Sequence, residues 1–300
     1  MKATGSDPSN TAVDTAKAAS NDCNQKKATG SDPSNTAVDT AKAASNDCNQ
    51  KGLTLRKYRV VIAYDGTAYS GWQYQENAVG IQQVVEDALA YLDGAPVRVY
   101  GSSRTDAGVH AKGFVAHFHL TKPIPAKNLV RAMNARLPDA IRVLKASYAK
   151  EDFDARLSAK GKEYRYQLYQ ADILPPHLAP YWTFCHRPLD LAAMKKAASY
   201  FVGKHDFVSF AANPDRVLET TVRSVFSFEV KKAGPRYTFI VRGDGFLYKQ
   251  VRSMVGFLIT IGKGNERPEA VKELLEAATP RTARVETAPA RGLFLWKVFY

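Results

Sequence analysis

The chain has 300 residues, 45% of them hydrophobic and 24% charged, and a formal net charge of +13. A basic excess of that size points to a polyanionic partner such as nucleic acid, the plainer reading being a soluble basic protein. No apolar run reaches bilayer-spanning length, and the three cysteines, two of them in a polar leader, make neither a disulfide framework nor a Cys-based metal site, so a cytoplasmic, reducing setting is expected.

Lys2–Lys26 is repeated letter for letter as Lys27–Lys51. The segment is rich in Ala, Ser, Thr, Asn and Asp and has no aromatic residue. It cannot bury enough apolar surface to offset the entropy of ordering, so residues 1–51 are expected to be a disordered leader outside the fold. It lacks the apolar stretch of a signal peptide and the hydrophobic face of a solenoid repeat. A duplicated leader, a misplaced start and an appended expression sequence all fit it. Its six lysines and six aspartates cancel, which leaves the whole excess of +13 on residues 52–300.

Residues 56–65, RKYRVVIAYD, alternate so that Tyr58, Val60, Ile62 and Tyr64 share one face of a strand, and Asp65-Gly66 marks a turn. Ile81, Val84, Val85, Ala88, Leu89 and Leu92 follow helical spacing, with Gly94 placed to close the helix. Strands are expected at Val97–Tyr100 and Gly113–Leu120, a helix at Ala126–Leu137 stopped by Pro138, and a strand at Ile141–Tyr148. That order is the split βαβ unit of a ferredoxin-like fold.

The second half repeats the theme. Lys162–Gln170 reads as a strand with Tyr164, Tyr166 and Leu168 on one face. Asp190 caps a helix running to about Val202, with Gly203 behind it. Strands follow at Arg223–Lys231 and Tyr237–Arg242, then a helix at Phe246–Ile261 with Leu247, Val251, Met254, Val255 and Leu258 inward. A short helix, Pro268–Ala277, and a strand, Leu293–Tyr300, complete the chain. The expected fold class is α+β: two ferredoxin-like halves, residues 52–157 and 158–300, sharing a mixed, mainly antiparallel sheet with helices packed on it.

The chemically pointed stretch is Gly101–Ala111, GSSRTDAGVHA. Arg104 and Asp106 sit two positions apart in a connection between two expected strands, and Gly101 and Gly108 imply a sharply folded loop. A neighbouring guanidinium favours the charged form of a carboxylate, and a charged Asp on a loop above a sheet is a candidate nucleophile or base. An isolated Asp in such a loop is more often a cap. His110 reads as a buttress of the loop. His117 and His119 share a strand face, but two histidines without a third ligand do not make a metal site. Arg252, among the apolar Val251, Met254 and Val255, emerges from a largely buried helix and requires a partner.

GSSRTDAGVHA resembles the catalytic loop of the TruA family of tRNA pseudouridine synthases, whose pattern reads roughly G-x-G-R-T-D-x-G-V-H-A. Ser103 stands where that family usually carries glycine. The resemblance runs from about Tyr58 to Tyr300. AKGKEYRYQLY (Ala159–Tyr169) is similar to the family's second motif and GFLYKQVRSMVG (Gly245–Gly256) to its third. YDGTAYSGWQYQ (Tyr64–Gln75), FDARLSA (Phe153–Ala159, Leu157 for the usual Phe), KHDFVSF (Lys204–Phe210) and TAPARGLFL (Thr287–Leu295) also match.

The resemblance implies a tRNA-uridine isomerase acting at positions 38, 39 and 40 of the anticodon arm, working as a homodimer with its cleft between the two halves. It implies Asp106 as the catalytic carboxylate, Arg104 assisting base extrusion, Tyr164 packing against the target base and Arg252 paired with Asp106. The reaction breaks the uridine N1–C1′ bond and joins C1′ to C5; it involves no redox change and needs neither metal nor other cofactor. The base must first leave its stack, and a Tyr offers a ring face and a hydroxyl to receive it. Direct attack on C1′ and a glycal route both remain open. Arg98, Lys160, Lys162, Arg165, Lys249 and Lys263 are candidates for phosphate contacts. Two other classes compete. A silent RNA-binding module is disfavoured because no RNP1-like pattern of sheet aromatics is present. A glycosidase-like hydrolase would pair two carboxylates, whereas the motif offers one.

Overall fold

Alternating apolar residues make Arg56–Tyr64 (β1) a strand in the computed structural model, which describes residues 55–212 and 219–300. The leader, residues 1–51, lies outside the described residues. Tyr58, Val60, Ile62 and Tyr64 are all buried, as their shared face requires. Ile81–Asp93 (α1) buries Ile81, Val85 and Leu89 completely, each contributing about 1.5–3 kcal/mol. Gly94 closes that helix in the left-handed region, its amide donating to the Ala90 carbonyl at 2.8 Å.

The strand expected at Val97–Tyr100 is only Tyr100–Gly101 (β2). The apolar run before it is not paired in the sheet because α1 side chains take its backbone. The Val99 amide donates to Glu86 Oε1 at 2.9 Å, and its carbonyl accepts from Gln82 Nε2 at 3.1 Å. The next strand is longer than expected and starts within the motif, at His110–Leu120 (β3).

Ala126–Asn134 (α2) ends three residues before the expected Leu137. Asn134 is drawn to the sheet margin. Its side chain exchanges two hydrogen bonds with the backbone of Val143 on Ile141–Tyr148 (β4), at 2.8 and 2.9 Å.

In the second half, Gly161–Gln170 (β5) is flanked by the short Thr183–Cys185 (β6). Asp190 caps Leu191–Tyr200 (α3), its carboxylate accepting from the Ala193 amide at 3.0 Å. Gly203 opens an edge strand, Gly203–Asp206 (β7), rather than ending the helix. Val222–Ala233 (β8) and Arg236–Gly243 (β9) form a hairpin.

The helix expected from Phe246 starts four residues later, at Gln250–Gly262 (α4). Lys249 sits at φ 58°, outside helical space, and Gln250 turns its side chain back so that Oε1 accepts from the Leu247 amide at 2.8 Å. Phe246, Leu247 and Tyr248 are thereby left on a loop. Ala270–Ala277 (α5) and Leu293–Phe299 (β10) end the chain.

Among the described residues the strands form one mixed sheet of ten, in the order β4-β1-β3-β10-β5-β9-β8-β7, with β2 beside β3 and β6 beside β5, and with the helices it makes an α+β fold. Only β10·β3 and β5·β6 pair in parallel; the other pairs are antiparallel. The last strand is therefore the seam. β10 lies between β3 and β5 and sets the loop after β2 beside the start of α4.

Candidate active site

The loop between β2 and β3 is a tight connection gripped from behind. Ser102 anchors its start, its amide donating to the Val115 carbonyl at 2.8 Å. Thr105 is held at two atoms. Its hydroxyl pairs with the Tyr64 hydroxyl at 2.8 Å, and its carbonyl accepts from the Trp72 amide at 3.1 Å. Asp106 then closes a turn, its carbonyl accepting from the Val109 amide at 3.1 Å, with Gly108 at φ 75°. The turn presses on Gly71, at φ 89°, where an added Cβ would stand 2.3 Å from the Thr105 carbonyl oxygen. The segment Tyr64–Gln75 is thus the platform of the loop.

Asp106 faces Arg252, which Nη1 brings to 2.6 Å of Oδ2. Arg252 is aimed by the strand-side segment 286–289, not by its own helix. Its Nε donates to the Ala288 carbonyl at 2.8 Å, while the Ala288 amide donates to the Arg252 carbonyl at 3.0 Å. Both side chains of the pair are largely buried, at 14% and 18% exposure. Among the described residues no group hydrogen-bonds Oδ1, and the carboxylate lines a cavity of about 690 Å³. That volume lies within the ~300–1,000 Å³ of small-molecule sites.

Tyr164 stands on the same cavity, projected by β5. Its ring meets Phe246 edge-on at 5.4 Å, and its hydroxyl pairs with Ser103 Oγ at 3.0 Å. Burial pushes its phenol up to about 12, so it stays a neutral hydrogen-bonding group throughout the physiological range. Arg104 is exposed at the cavity rim.

The structure therefore brings Arg104, Asp106, Tyr164 and Arg252 to one cavity. Of the basic residues named for phosphate contact, Arg98, Lys162 and Lys249 line it as well. Arg165 does not: it sits over the Trp296 ring at 4.0 Å and bonds Glu163 at 2.7 Å, its position on β5 being one step out of register with Tyr164. Lys160 and Lys263 lie outside the cavity lining.

His110 is a buttress. Nδ1 accepts from the Gly66 amide at 3.0 Å and Nε2 faces the Pro180 carbonyl at 3.2 Å, which together describe a neutral ring protonated at Nε2. Burial lowers its pKa, outweighing the pull of Asp65. His117 serves the neighbouring loop, its Nδ1 accepting from the Ala155 amide at 3.0 Å, while His119 faces Glu151 at 3.3 Å.

Sequence reasoning missed several residues. Phe246 falls in the expected helix, yet it lies on the loop before Gln250 and reaches the cavity. Ser103 departs from the family pattern, and no local signal in the sequence pairs it with Tyr164, 61 residues away. Arg156, also on the cavity, lies in the FDARLSA match, which gave it no role, and Arg223, on the cavity too, carries no sequence signal beyond its charge. Asp154 lines it too; burial favours its neutral form, but the Leu157 and Arg156 amides hold the carboxyl below the usual range.

The sequence pattern of the tRNA pseudouridine synthase family matches residues 60–157 and 197–300. Similar curated proteins include a tRNA pseudouridine synthase A of Syntrophotalea carbinolica, 44% identical over 242 residues, covering 81% of this chain and 95% of that protein. One from an Exiguobacterium species is 43% identical over 247 residues, covering 82% and 98%. The tRNA pseudouridine synthase A 2 of Clostridium perfringens is 39% identical over 246 residues, covering 82% and 100%. A chain of the solved Cbf5-Nop10-Gar1 complex superposes with a TM-score of 0.27 and 14% identity over 67% of this chain and 53% of that one, too loose a fit to carry an argument. The chain belongs to the tRNA pseudouridine synthase family and is an enzyme of the isomerase class.

Proposed function

We propose that the protein converts uridine to pseudouridine at positions 38, 39 and 40 of the tRNA anticodon arm, with Asp106 as the catalytic carboxylate. The observation that carries this reading is the Asp106–Arg252 pair on the wall of a cavity roomy enough for an extruded nucleoside. The substrate class follows the names of the relatives, and the three positions follow the motif resemblance.

Arg252 holds the carboxylate charged and oriented, with one oxygen engaged and the other toward the cavity. Asp106 acts at C1′ of the target, by direct attack or by assisting glycal formation. The C1′–N1 bond breaks and the base turns over; C1′ then joins C5 as the Asp106–C1′ ester breaks (direct attack) or as C2′ regains the proton it lost (glycal), after which the C5 proton leaves and N1 gains a proton. Tyr164 packs against the base while it is detached, and Phe246 backs that ring. Arg104, at the rim, assists extrusion of the nucleotide. The enzyme acts in the cytoplasm as a homodimer in which one tRNA meets both subunits, and residues 52–157 and 158–300 form its two halves, which meet at the cavity.

The hydrolase alternative needs a second carboxyl group poised as an acid. Asp154 is the other carboxylate of the cavity, and its amide hydrogen bonds favour the charged form, which suits a loop anchor rather than a proton donor.

The test is tritium release from tRNA labelled at uridine C5. Asp106→Asn is expected to abolish release while tRNA binding persists. Full activity in that variant would refute the assignment of Asp106, and free uracil as product would replace isomerisation with hydrolysis.

A further inference from the structure

The cavity has a second charged wall that the chemistry at Asp106 does not use. Lys162 precedes Tyr164 by two residues on β5, so it points to the same face about 6.6 Å away along the strand. Arg156, from the loop after β4, and Arg223, on β8, line the same region. Among the described residues none of the three forms an ion pair. Arg223 spends one nitrogen on the Thr220 and Val222 carbonyls, and the nearby Asp154 turns Oδ1 to the Arg156 and Leu157 amides, with Oδ2 3.9 Å from His117 Nε2. Three like charges with no carboxylate in an ion pair to any of them among the described residues repel one another, and Lys162 is half-buried beside them. Such a cluster is completed by an anion.

We propose that Lys162, Arg156 and Arg223 form a subsite for a backbone phosphodiester of the RNA, one nucleotide step from the base that Tyr164 meets. The subsite rests on the reading of the cavity as the tRNA site. Arg156 and Arg223 supply planar donors for two phosphate oxygens, and Lys162 supplies the point charge between them.

The subsite carries a proton linkage. Burial first, then Arg156 and Arg223, lower Lys162 to about 8 in the free protein. The other charged or titratable residues of the cavity are Tyr164 on the same strand, Asp106, Asp154, Tyr100, Tyr248, Lys249, Arg98, Arg104 and Arg252; the register neighbours of Lys162, Gly243 on β9 and Val298 on β10, bring no charge. Phosphate restores the charged form, so binding takes up a proton above pH 8, and affinity falls as pH rises past that point.

The experiment measures Kd of the full chain for a tRNA transcript across a salt series at pH 7 and pH 9, beside tritium release. Lys162→Gln is expected to weaken binding at pH 7 about tenfold, as loss of one charge-assisted contact does. It should also flatten the plot of log Kd against log salt by roughly one counterion, about 0.7–0.9. Lys162→Arg, which cannot lose its charge, should bind equally well at pH 7 and pH 9, whereas the wild type weakens. Arg156→Gln should flatten the salt plot in the same way, and with Lys162→Arg it carries the test should Lys162→Gln fail to fold. An unchanged Kd and salt slope in both neutral variants, or the same pH profile in wild type and Lys162→Arg, overturns the subsite. Tritium release with no response to these variants sinks the subsite alone; normal responses with no tritium release sink the isomerase reading and leave the phosphate site standing.

Discussion

Arg252 and Asp106 are 146 residues apart in the chain and 2.6 Å apart in the fold. Neither belongs to the other's local structure. The Asp is set by a hairpin loop, the Arg by the first turn of α4 and the Ala288 backbone, and the pair forms only when β10 joins the two halves of the sheet. Arg252→Gln is expected to lower kcat/KM at least about a hundredfold, because a misplaced reacting group costs that much. It should also destabilise the protein by about 1–3 kcal/mol by leaving a partly buried carboxylate without its partner. Steady-state kinetics and urea denaturation check both, and near-wild-type activity would remove Arg252 from the site.

Gly71 is the hidden support of Asp106. With φ at 89° and the Thr105 carbonyl where a Cβ would stand, Gly71→Ala combines backbone strain with a clash. A stability loss of about 1–3 kcal/mol or more is expected, together with loss of tritium release, although Gly71 touches no substrate. Unchanged melting and turnover would show that the loop does not depend on this platform.

Tyr164 separates ring from hydroxyl. Tyr164→Phe keeps the stacking face and leaves only Ser103 without its partner, a cost of about 1 kcal/mol, whereas Tyr164→Ala removes a buried ring at about 3–5 kcal/mol. Because the folded phenol holds its proton to about 12 while the unfolded one releases it near 10.0, the native state binds more protons between those values. Stability from this group is therefore lost as pH rises from 10 toward 12. Chemical denaturation across that window, compared with Tyr164→Phe, reads the difference; identical alkaline limbs would contradict it.

His110 sets an acid limb of the opposite sense. Its pKa is lowered from 6.5 by burial, so below pH 6.5 the unfolded chain takes up a proton that the native ring refuses. Stability falls as pH drops from 6.5 through the lowered folded value. His117, also lowered by burial, adds to the same limb. His110→Gln should shallow the loss of urea midpoint between pH 7 and pH 5 without removing it entirely; no change in slope would mean that His110 is charged in the native state.

Periodicity made much of the architecture legible. The alternation of Arg56–Tyr64 and Gly161–Gln170, the helical spacing of Ile81–Asp93 and the Asp190 cap all reside in a few adjacent residues, and all appear in the fold. Errors arose where a distant or tertiary partner outbid local preference. Val97–Val99 has strand composition, but Gln82 and Glu86 took its backbone. Phe246–Lys249 continues a helical pattern, but Lys249 adopts a left-handed turn and Gln250 closes the helix behind it.

The amino-acid order alone determined the α+β class, the basic charge, the loop that holds Asp106 and the strand face that carries Tyr164, because these depend on side-chain period and on turn chemistry over short spans. The pairing of Arg252 with that carboxylate is implied by the motif resemblance rather than by any local pattern, and only the tertiary structure decided that Ser103 and Phe246 frame the tyrosine and that Lys162, Arg156 and Arg223 line one cavity. Those relations come from different strands and loops, and their distances are set by how one sheet closes around β10.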